Sequence, residues 1–155
     1  MHPQRPTTLR LPSGHLMPVD VASTGSDGGF RLPIDISHAG WWDGSARLGD
    51  PYGSVVLAAH VDSFTQGIGP FAELLSTHRG SVIGVGARGL AQSFVVRSVR
   101  LVPRVALTSS SFAYSQRGGS RLVLITCGGS YDAAQGGYRD NVVVVATPRG
   151  PVRGH

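Results

Sequence analysis

The sequence predicts a mainly β protein folded as a single closed or nearly closed β-barrel of about eight strands, with one or two short helices. Three observations lead to this prediction. The chain has 155 residues, 41% of them hydrophobic, which suits one domain with its own core. Its 22 glycines and 10 prolines interrupt long helices and favour turns. Short apolar, β-rich runs separated by glycine-rich breaks recur along the chain, as is typical of barrels.

The chain opens with a proline-rich, polar stretch, M-H-P-Q-R-P-T-T-L-R-L-P-S. We therefore predict a flexible leader over residues 1–13 and one folded domain over residues 14–155. Runs of β-branched and aromatic residues between turn signals mark the strands of that domain. The strand candidates are 15–22, 29–33, 53–61, 81–88, 90–102, 121–127 and 141–147.

Helical segments are predicted to be few and short. One is predicted over residues 70–78, because Pro70 can occupy the first turn and F-A-E-L-L follows with good helix propensity. Shorter helical turns are predicted around Ile36–Gly40 and near Ser109–Tyr114. Trp41 and Trp42 are predicted to be packing residues on the entry segment.

Charge and hydropathy exclude several classes of partner. All 14 basic residues are arginine and the net charge is +5, but the arginines are scattered and lack interleaved aromatic residues. Nucleic acid is therefore not a predicted partner. No stretch approaches the roughly 18 to 20 apolar residues needed to cross a bilayer, and no signal peptide opens the sequence.

Three residues stand where a catalytic centre could form. The run L-V-L-I-T-C delivers the single cysteine, Cys127, into a glycine pair, and Arg139 precedes the run N-V-V-V-V-A. These two strands can pair, which brings a thiol and a permanent cation to one end of a sheet. The run S-V-V-L-A-A-H-V-D reads as a buried strand with His60 at or near its end. A thiol, an imidazole and a guanidinium suggest nucleophilic catalysis.

These segments resemble the sortases, the cysteine transpeptidases of Gram-positive cell surfaces. The family pattern is a histidine ending one strand, a T-L-x-T-C strand and an arginine opening the next; here they read A-A-H-V-D, V-L-I-T-C and Y-R-D-N-V-V-V-V. The glycines after the cysteine and the Y-R-D-N segment look most like class F sortases of actinobacteria. The resemblance covers roughly residues 14 to 147. Val123 departs from the first threonine of the pattern, where a β-branched residue suits a packed wall.

The resemblance implies an activity and a location. A sortase cleaves an L-P-x-T-G-type sorting signal between threonine and glycine, through a thioacyl intermediate, and transfers it to an amine of a peptidoglycan precursor or pilin. It implies Cys127 as nucleophile, His60 as acid and base, and Arg139 as the oxyanion donor. No cofactor is implied. The expected protein is a monomeric ectodomain at the extracellular face of the membrane, held by an amino-terminal anchor that this sequence does not contain.

Each candidate also has an ordinary structural explanation. Cys127 could be a buried packing residue, His60 a core histidine bound to a carbonyl, and Arg139 a solvated strand-edge charge. Asp62 and Asp140 flank two of the candidates and could orient them, although aspartates near glycines are often turn formers. Thr126 is a possible supporting residue. One cysteine and dispersed histidines give no ligand spacing for a metal, so no metal site is predicted.

Two alternatives remain open at this point. An L,D-transpeptidase also uses cysteine, histidine and arginine, but its arginine normally lies two residues after the cysteine, where this chain has Gly129. The other alternative is a non-catalytic secreted β-barrel that binds wall polymer, with Cys127 buried as packing. Native thiol reactivity distinguishes the non-catalytic barrel from an enzyme, because a buried thiol resists alkylation and an active-site thiol reacts.

Overall fold

The computed structural model describes residues 2–23, 33, 35–60, 62–63, 67–103, 112–132 and 137–154. For residues 62–63, 67, 112, 127–132 and 137–140 it describes the backbone alone. Within these described ranges, the 3-10 helices Pro70–Leu75 and Phe112–Tyr114 accompany the strands. The strands are β1 Pro6–Arg10, β2 Leu16–Ala22, β3 Ala39–Trp42, β4 Ser54–Ala59, β5 Asp62–Ser63, β6 Gly67–Ile68, β7 Val82–Ala87, β8 Leu90–Pro103, β9 Arg121–Asp132, β10 Gly137–Pro148 and β11 Arg153–Gly154.

The main sheet closes on itself. Its strand order is β10-β9-β4-β3-β2-β1-β7-β8-β11, and β10 also pairs with β8, which completes a ring of eight strands. In that ring β2–β3 and β4–β9 are parallel, and the other pairs are antiparallel. β11 extends β8, and β5 and β6 form a separate hairpin. The predicted mainly β, eight-stranded closed barrel with very few helices is confirmed.

Two apolar clusters occupy the two sides of the barrel wall. The larger fills the barrel and takes alternate residues from β1, β2, β4, β7, β8, β9 and β10, with Phe71 and Leu74 closing one part of it. The smaller lies on the outer side of β4, β9 and β10, where Ala113 from the second 3-10 helix covers it. β4, β9 and β10 therefore bury both faces over much of their length, which explains why their sequences are continuous apolar runs.

One strand lies inside the predicted leader. Residues Pro6–Arg10 form β1, which pairs with β2 on one side and β7 on the other, so the folded sheet begins before residue 14. The prolines on either side favoured the prediction of a flexible segment, although the residues between them alternate as in a strand. Leu9 and Leu11 are buried, and Thr8 and Arg10 are exposed. The leader prediction is corrected for these residues.

Other local predictions differ in type or length. The helical turn predicted around Ile36–Gly40 is one hydrogen-bonded turn over residues 35–38, closed from the His38 N–H to the Asp35 carbonyl oxygen at 3.0 Å. The next residues continue as β3, which was not among the predicted strands and runs parallel to β2. The helix predicted over 70–78 is the shorter 3-10 helix Pro70–Leu75. The predicted strand 29–33 falls mostly outside the described residues, and Pro33 is not in a strand. β9 and β10 are both longer than predicted.

The described chain contains no helix that is both long and apolar enough to cross a membrane.

Candidate active site

The first two candidate residues lie on neighbouring parallel strands. Parallel pairing of β4 with β9 runs from Ser54↔Arg121 to Ala59↔Thr126. His60 follows Ala59 directly, and Cys127 follows Thr126, so the two occupy the next positions on strands that are about 4.8 Å apart. His60 is half-buried. The fold therefore brings the histidine and the cysteine backbones side by side where β4 ends.

The third candidate lies on the other neighbour of β9. In the β9–β10 pairing, Asn141 is opposite Cys127 and Asp140 is opposite Gly128. The register then shifts between Tyr138 and Asp140, which places Arg139 at the irregularity. Such shifts bend a strand and re-aim its side chains, and they occur often beside active sites. The backbone of Cys127 on β9 therefore lies between His60, which directly follows β4, and Arg139 on β10.

Thr126 forms a buried hydrogen bond that links β9 to β4 beside the candidate residues. Its side chain is 2% exposed, and its hydroxyl donates a hydrogen bond to the carbonyl oxygen of Ala59 at 2.7 Å. The bond joins the residue that precedes Cys127 to the residue that precedes His60. A net contribution of about 1 kcal/mol is usual for a buried bond of this kind. Its position holds β4 and β9 in register at the point where the two candidates leave them.

The two candidate orienting aspartates are placed by their backbones. Asp62, two residues after His60 in the sequence, begins β5 and pairs with Ile68. Asp140 pairs with Gly128 on β9 and with Pro103 on β8. The orienting role of these two aspartates stays a prediction, because the structure describes only their backbones.

An apolar layer lies on the outer face of β4, β9 and β10 next to these positions. It includes Ala58 and Ile125, each two positions before His60 and Cys127 respectively, and Val123, which is 1% exposed. The packed wall predicted at Val123 is confirmed. Trp42 and Tyr114 cover the layer and meet edge to face, with ring centroids 5.4 Å apart and planes at 83°.

Burial gives this layer an electrostatic consequence. It raises the pKa of the Tyr114 hydroxyl above its ordinary value of 10.0, because the charged phenolate is disfavoured away from water. The same exclusion of water strengthens electrostatic interactions beside the layer. The predicted packing role of the tryptophans holds for Trp41, which is 4% exposed and donates from Nε1 to the carbonyl oxygen of Ala46 at 3.0 Å.

Asn141 was not among the candidate residues predicted from the sequence. Its Cα is the partner of the Cys127 Cα, and its Oδ1 atom is buried without a hydrogen-bond donor among the residues that the structure describes. A buried acceptor without a donor is uncommon in folded proteins and often marks a functional position. The signal in the sequence was a polar residue heading the run V-V-V-V, which could be recognised only once the strand register was known.

The described residues include no group of three or more histidine, cysteine, aspartate or glutamate side chains suited to hold a metal ion. A histidine with carboxylate neighbours occurs elsewhere, at His38, whose Nδ1 lies 2.8 Å from Asp20 Oδ2 and whose Nε2 lies 3.5 Å from Asp35 Oδ2. Hydrogen bonds from Ser37 lower the pKa of Asp35. Asp35 and His38 of this surface cluster are the two ends of the turn before β3.

Comparison with known proteins gives a consistent family assignment. The family model of the sortase domain matches residues 18–149. No individually curated protein matches the chain. Among solved structures, sortase A of Listeria monocytogenes is similar with a TM-score of 0.69 and 15% identity, covering 99% of this chain and 92% of that one.

Actinobacterial structures are also similar. Sortase E1 of Streptomyces coelicolor, solved with a tripeptide in the active site, gives a TM-score of 0.67 at 18% identity, covering 97% of this chain and 91% of that one. The SrtA sortase of Actinomyces oris gives 0.67 at 20% identity, covering 99% and 84%. These likenesses show a shared fold, and neither they nor the family match favours the L,D-transpeptidase or the non-catalytic barrel. Because the sortase model spans most of the chain, the protein belongs to the sortase family.

Proposed function

We propose that this protein is a cysteine transpeptidase that cleaves an L-P-x-T-G-type sorting signal between threonine and glycine and transfers the cleaved end to an amine. One observation supports the proposal: the backbone of Cys127 on β9 lies between the end of β4, which His60 follows, and the stretch of β10 that includes Arg139. The apolar layer on the outer face of the same three strands is buried beneath Ala113, Trp42 and Tyr114, so it supports these strands and is not itself a surface for the peptide.

The proposed first half-reaction forms a thioester. The Cys127 thiolate attacks the threonine carbonyl carbon, and the Arg139 guanidinium stabilises the oxyanion that develops, with a charge that it does not lose at neutral pH. The tetrahedral intermediate collapses when the C–N bond to glycine breaks, and protonated His60 donates a proton to the departing amine. The products are a thioacyl enzyme and a peptide with a free glycine amine.

The second half-reaction releases the product. An incoming amine, from a peptidoglycan precursor or a pilin subunit, loses its proton to His60 and attacks the thioester carbonyl. A new amide bond forms, the Cys127 thiolate leaves, and His60 is again protonated. A free thiol with a pKa near 8.5 is only about 3% thiolate at pH 7, so turnover depends on how the site raises or tolerates that fraction.

Four further residues are proposed to support the reaction. Thr126 positions the strand ends through its bond to Ala59, and Asp62 and Asp140 orient the groups beside them. Asn141 is proposed to accept a hydrogen bond at the Cys127 position when substrate is bound, because its Oδ1 has no donor in the described part of the chain. No metal or cofactor enters any step.

The finer assignment rests on sequence features. We propose that the protein is a class F-type sortase, supported by the glycines after Cys127 and by the Y-R-D-N segment at Arg139. Sortases are cell-surface enzymes. We propose that this chain works at the extracellular face of the membrane as the ectodomain of an anchored protein.

Mass spectrometry of the protein incubated with an L-P-x-T-G peptide library and oligoglycine tests the function. Cleavage after threonine, an amine-exchanged product and a trapped thioacyl adduct are expected from the wild type and from none of the Cys127→Ala samples. The matched control is Cys127→Ser, which keeps the size of the side chain and an attacking oxygen of low reactivity. Folding of each variant is checked by circular dichroism.

Two results would count against the proposal. Peptide cleavage that survives Cys127→Ala would show that another group attacks the peptide. A folded wild type that cleaves no peptide, and whose thiol also resists alkylation, would favour a barrel in which Cys127 only packs.

A further inference from the structure

A second surface of the barrel has the features of a binding site. A groove of about 870 Å³ lies on the outer face of β1, β7 and β8. β1 is four strands from β9 in either direction round the ring, so this groove is on the opposite side of the barrel from Cys127. We call it the arginine groove; its walls carry Arg10, Arg149 and Arg153, and its floor is formed by Gly84, Gly86, Ala91 and Ser93.

Strand register shows how the walls face one another. Arg10 on β1 pairs with Gly84 on β7, which pairs with Ser93 on β8. With about 4.8 Å between neighbouring strands, Arg10 and Ser93 are roughly 10 Å apart at Cα. The backbone N–H of Arg149 donates to the carbonyl oxygen of Ser93 at 2.9 Å, which places Arg149 beyond β8. Arginine residues therefore lie on both sides of the floor, and the Arg10 guanidinium also donates to the carbonyl oxygen of the lining residue Gly14 at 3.5 Å.

The second wall is fixed to the barrel. Gln92 donates from Nε2 to the carbonyl oxygen of Gly150 at 3.0 Å, and Arg153 in β11 pairs with Ala91 on β8. Together with the bond to Arg149, these contacts hold residues 149–154 along the sheet. The groove is thus a built feature of the fold and its two arginine-bearing sides have a defined separation.

The floor is open because two of its residues are glycine. A Cβ at Gly86 would collide with the Thr8 hydroxyl, and a Cβ at Gly84 would lie 3.4 Å from Arg10 Cβ. A larger residue at either position would fill the space between the arginines. Small residues at alternate positions of β7 therefore leave a shallow, flat floor over which a ligand can approach the backbone.

The charge of the groove has one sign. Among the described residues that line it, three are arginines, none is acidic and none is aromatic. All three arginines are exposed, and none forms an ion pair within the described part of the chain. Ser13, between the lining residues Pro12 and Gly14, donates to the Glu73 carboxylate from its N–H at 2.7 Å and from Oγ at 2.6 Å.

We propose that the arginine groove binds a linear phosphate-bearing polymer, such as a phosphodiester-linked polyol or sugar chain. Arginine forks match phosphate oxygens in bidentate fashion, and arginines on two walls can hold successive phosphates of one chain. β7 and β8 are already paired on both sides at this level, and the edge left open in the described sheet is the two-residue strand β11, so an acidic peptide finds little strand edge to extend. A nucleic acid gains nothing from its bases, since the lining offers no aromatic ring for stacking.

Titration calorimetry with inorganic polyphosphate as the probe tests this proposal. The groove variant is Arg10→Gln with Arg149→Gln and Arg153→Gln. The matched control is Arg47→Gln with Arg79→Gln and Arg117→Gln, three exposed arginines outside the groove. Both triple variants lower the net charge from +5 to +2, because each removes three positive charges. We expect the groove variant to bind about tenfold more weakly or worse, and the control to stay within about twofold of wild type.

A neutral variant tests the shape of the groove separately from its charge. Gly84→Val fills the floor beside Arg10 and suits a strand, so binding is expected to weaken while folding is kept. Equal losses in the two triple variants would overturn the proposal, because they would mean attraction by net charge alone. A groove variant or Gly84→Val with unchanged affinity would also overturn it.

Two comparison ligands test the class of polymer. Poly-glutamate and single-stranded DNA of the same charge are expected to bind more weakly than polyphosphate. Tighter binding of either one to the groove would mean that the site recognises acidic peptide or bases, which contradicts the proposal. Sorting-peptide cleavage is expected to be unchanged in the groove variant, so the result does not depend on the proposed transpeptidase activity.

Discussion

The two sides of the barrel differ in how many faces of their strands are covered. β4 is buried at every position, and β9 is buried from Leu122 to Thr126, because apolar clusters lie on both sides of them. β7, by contrast, alternates between buried residues and the glycines of the arginine groove. The doubly covered side holds a candidate catalytic centre in a fixed register, and the singly covered side leaves a face free for ligands. Rigidity and accessibility are thus supplied by different strands of one sheet.

The largest expected contrast is between two arginines at opposite ends of β10. Arg139→Gln is expected to lower kcat/KM for the sorting peptide by roughly 100-fold to 1,000-fold, because the oxyanion loses its donor. Arg149→Gln, after the end of the same strand, is expected to change it less than about twofold. Steady-state kinetics on both variants measures this. Equal losses would show that the arginines act through the overall field of the protein.

Asn141→Leu is expected to separate activity from stability. Removing a buried acceptor that has no donor among the described side chains is expected to leave the thermal stability unchanged or raised, because Leu has a similar volume and no unsatisfied polar atom. Activity is expected to fall about tenfold if Asn141 receives a hydrogen bond during the reaction. Melting temperature and kcat are measured on the same samples. Full activity in a stabilised variant would assign Asn141 no part in the reaction.

A matched pair of valines tests the difference in coverage. Val143 on β10 is 0% exposed, and Val82 on β7 is 39% exposed. Val143→Thr is expected to cost about 1 to 3 kcal/mol, since it buries a hydroxyl in an apolar layer. Val82→Thr is expected to stay within about 0.5 kcal/mol of wild type. Urea unfolding of both gives the two values, and similar costs would contradict a singly covered β7.

Thr126→Val tests whether register at the site depends on one hydrogen bond. Loss of the bond to Ala59 is expected to cost about 1 kcal/mol of stability. It is also expected to lower kcat about tenfold with little change in KM, because the reacting groups are displaced. Thr126→Ser keeps the hydroxyl and is expected to restore kcat. If Ser fails to rescue, the methyl packing of Thr126 and not its bond is what the site requires.

The smallest effect concerns pH and the cover of the apolar layer. Burial raises the pKa of Tyr114 above its unfolded value of 10.0, so its contribution to stability is complete below pH 10.0 and is lost as the pH rises through the folded value. Tyr114→Phe is expected to flatten the fall in unfolding free energy above pH 10.0. Tyr52→Phe, at a residue that is 72% exposed, is the control. Identical alkaline slopes in wild type and Tyr114→Phe would contradict this assignment.

The sequence alone determined the barrel class and the three candidate residues. Apolar runs, glycine spacing and the segments around His60, Cys127 and Arg139 are local features, so they can be read before any strand is paired. Strands that are covered on both faces could be predicted from the sequence, because they appear there as continuous apolar runs. The sequence failed where local signals were weak, at β1 between prolines and at β3, which directly follows a turn.

Only the tertiary structure decided what depends on pairing. The parallel register of β4 with β9 places His60 beside Cys127, and the antiparallel register of β10 identifies Asn141 as the residue opposite that cysteine. The arginine groove likewise joins Arg10 to Arg153, residues near the two ends of the chain. Nothing in their local sequence connects them. They meet because β1 pairs with β7, β7 with β8 and β8 with β11, so the first and last strands lie on the same surface through pairings between distant parts of the chain.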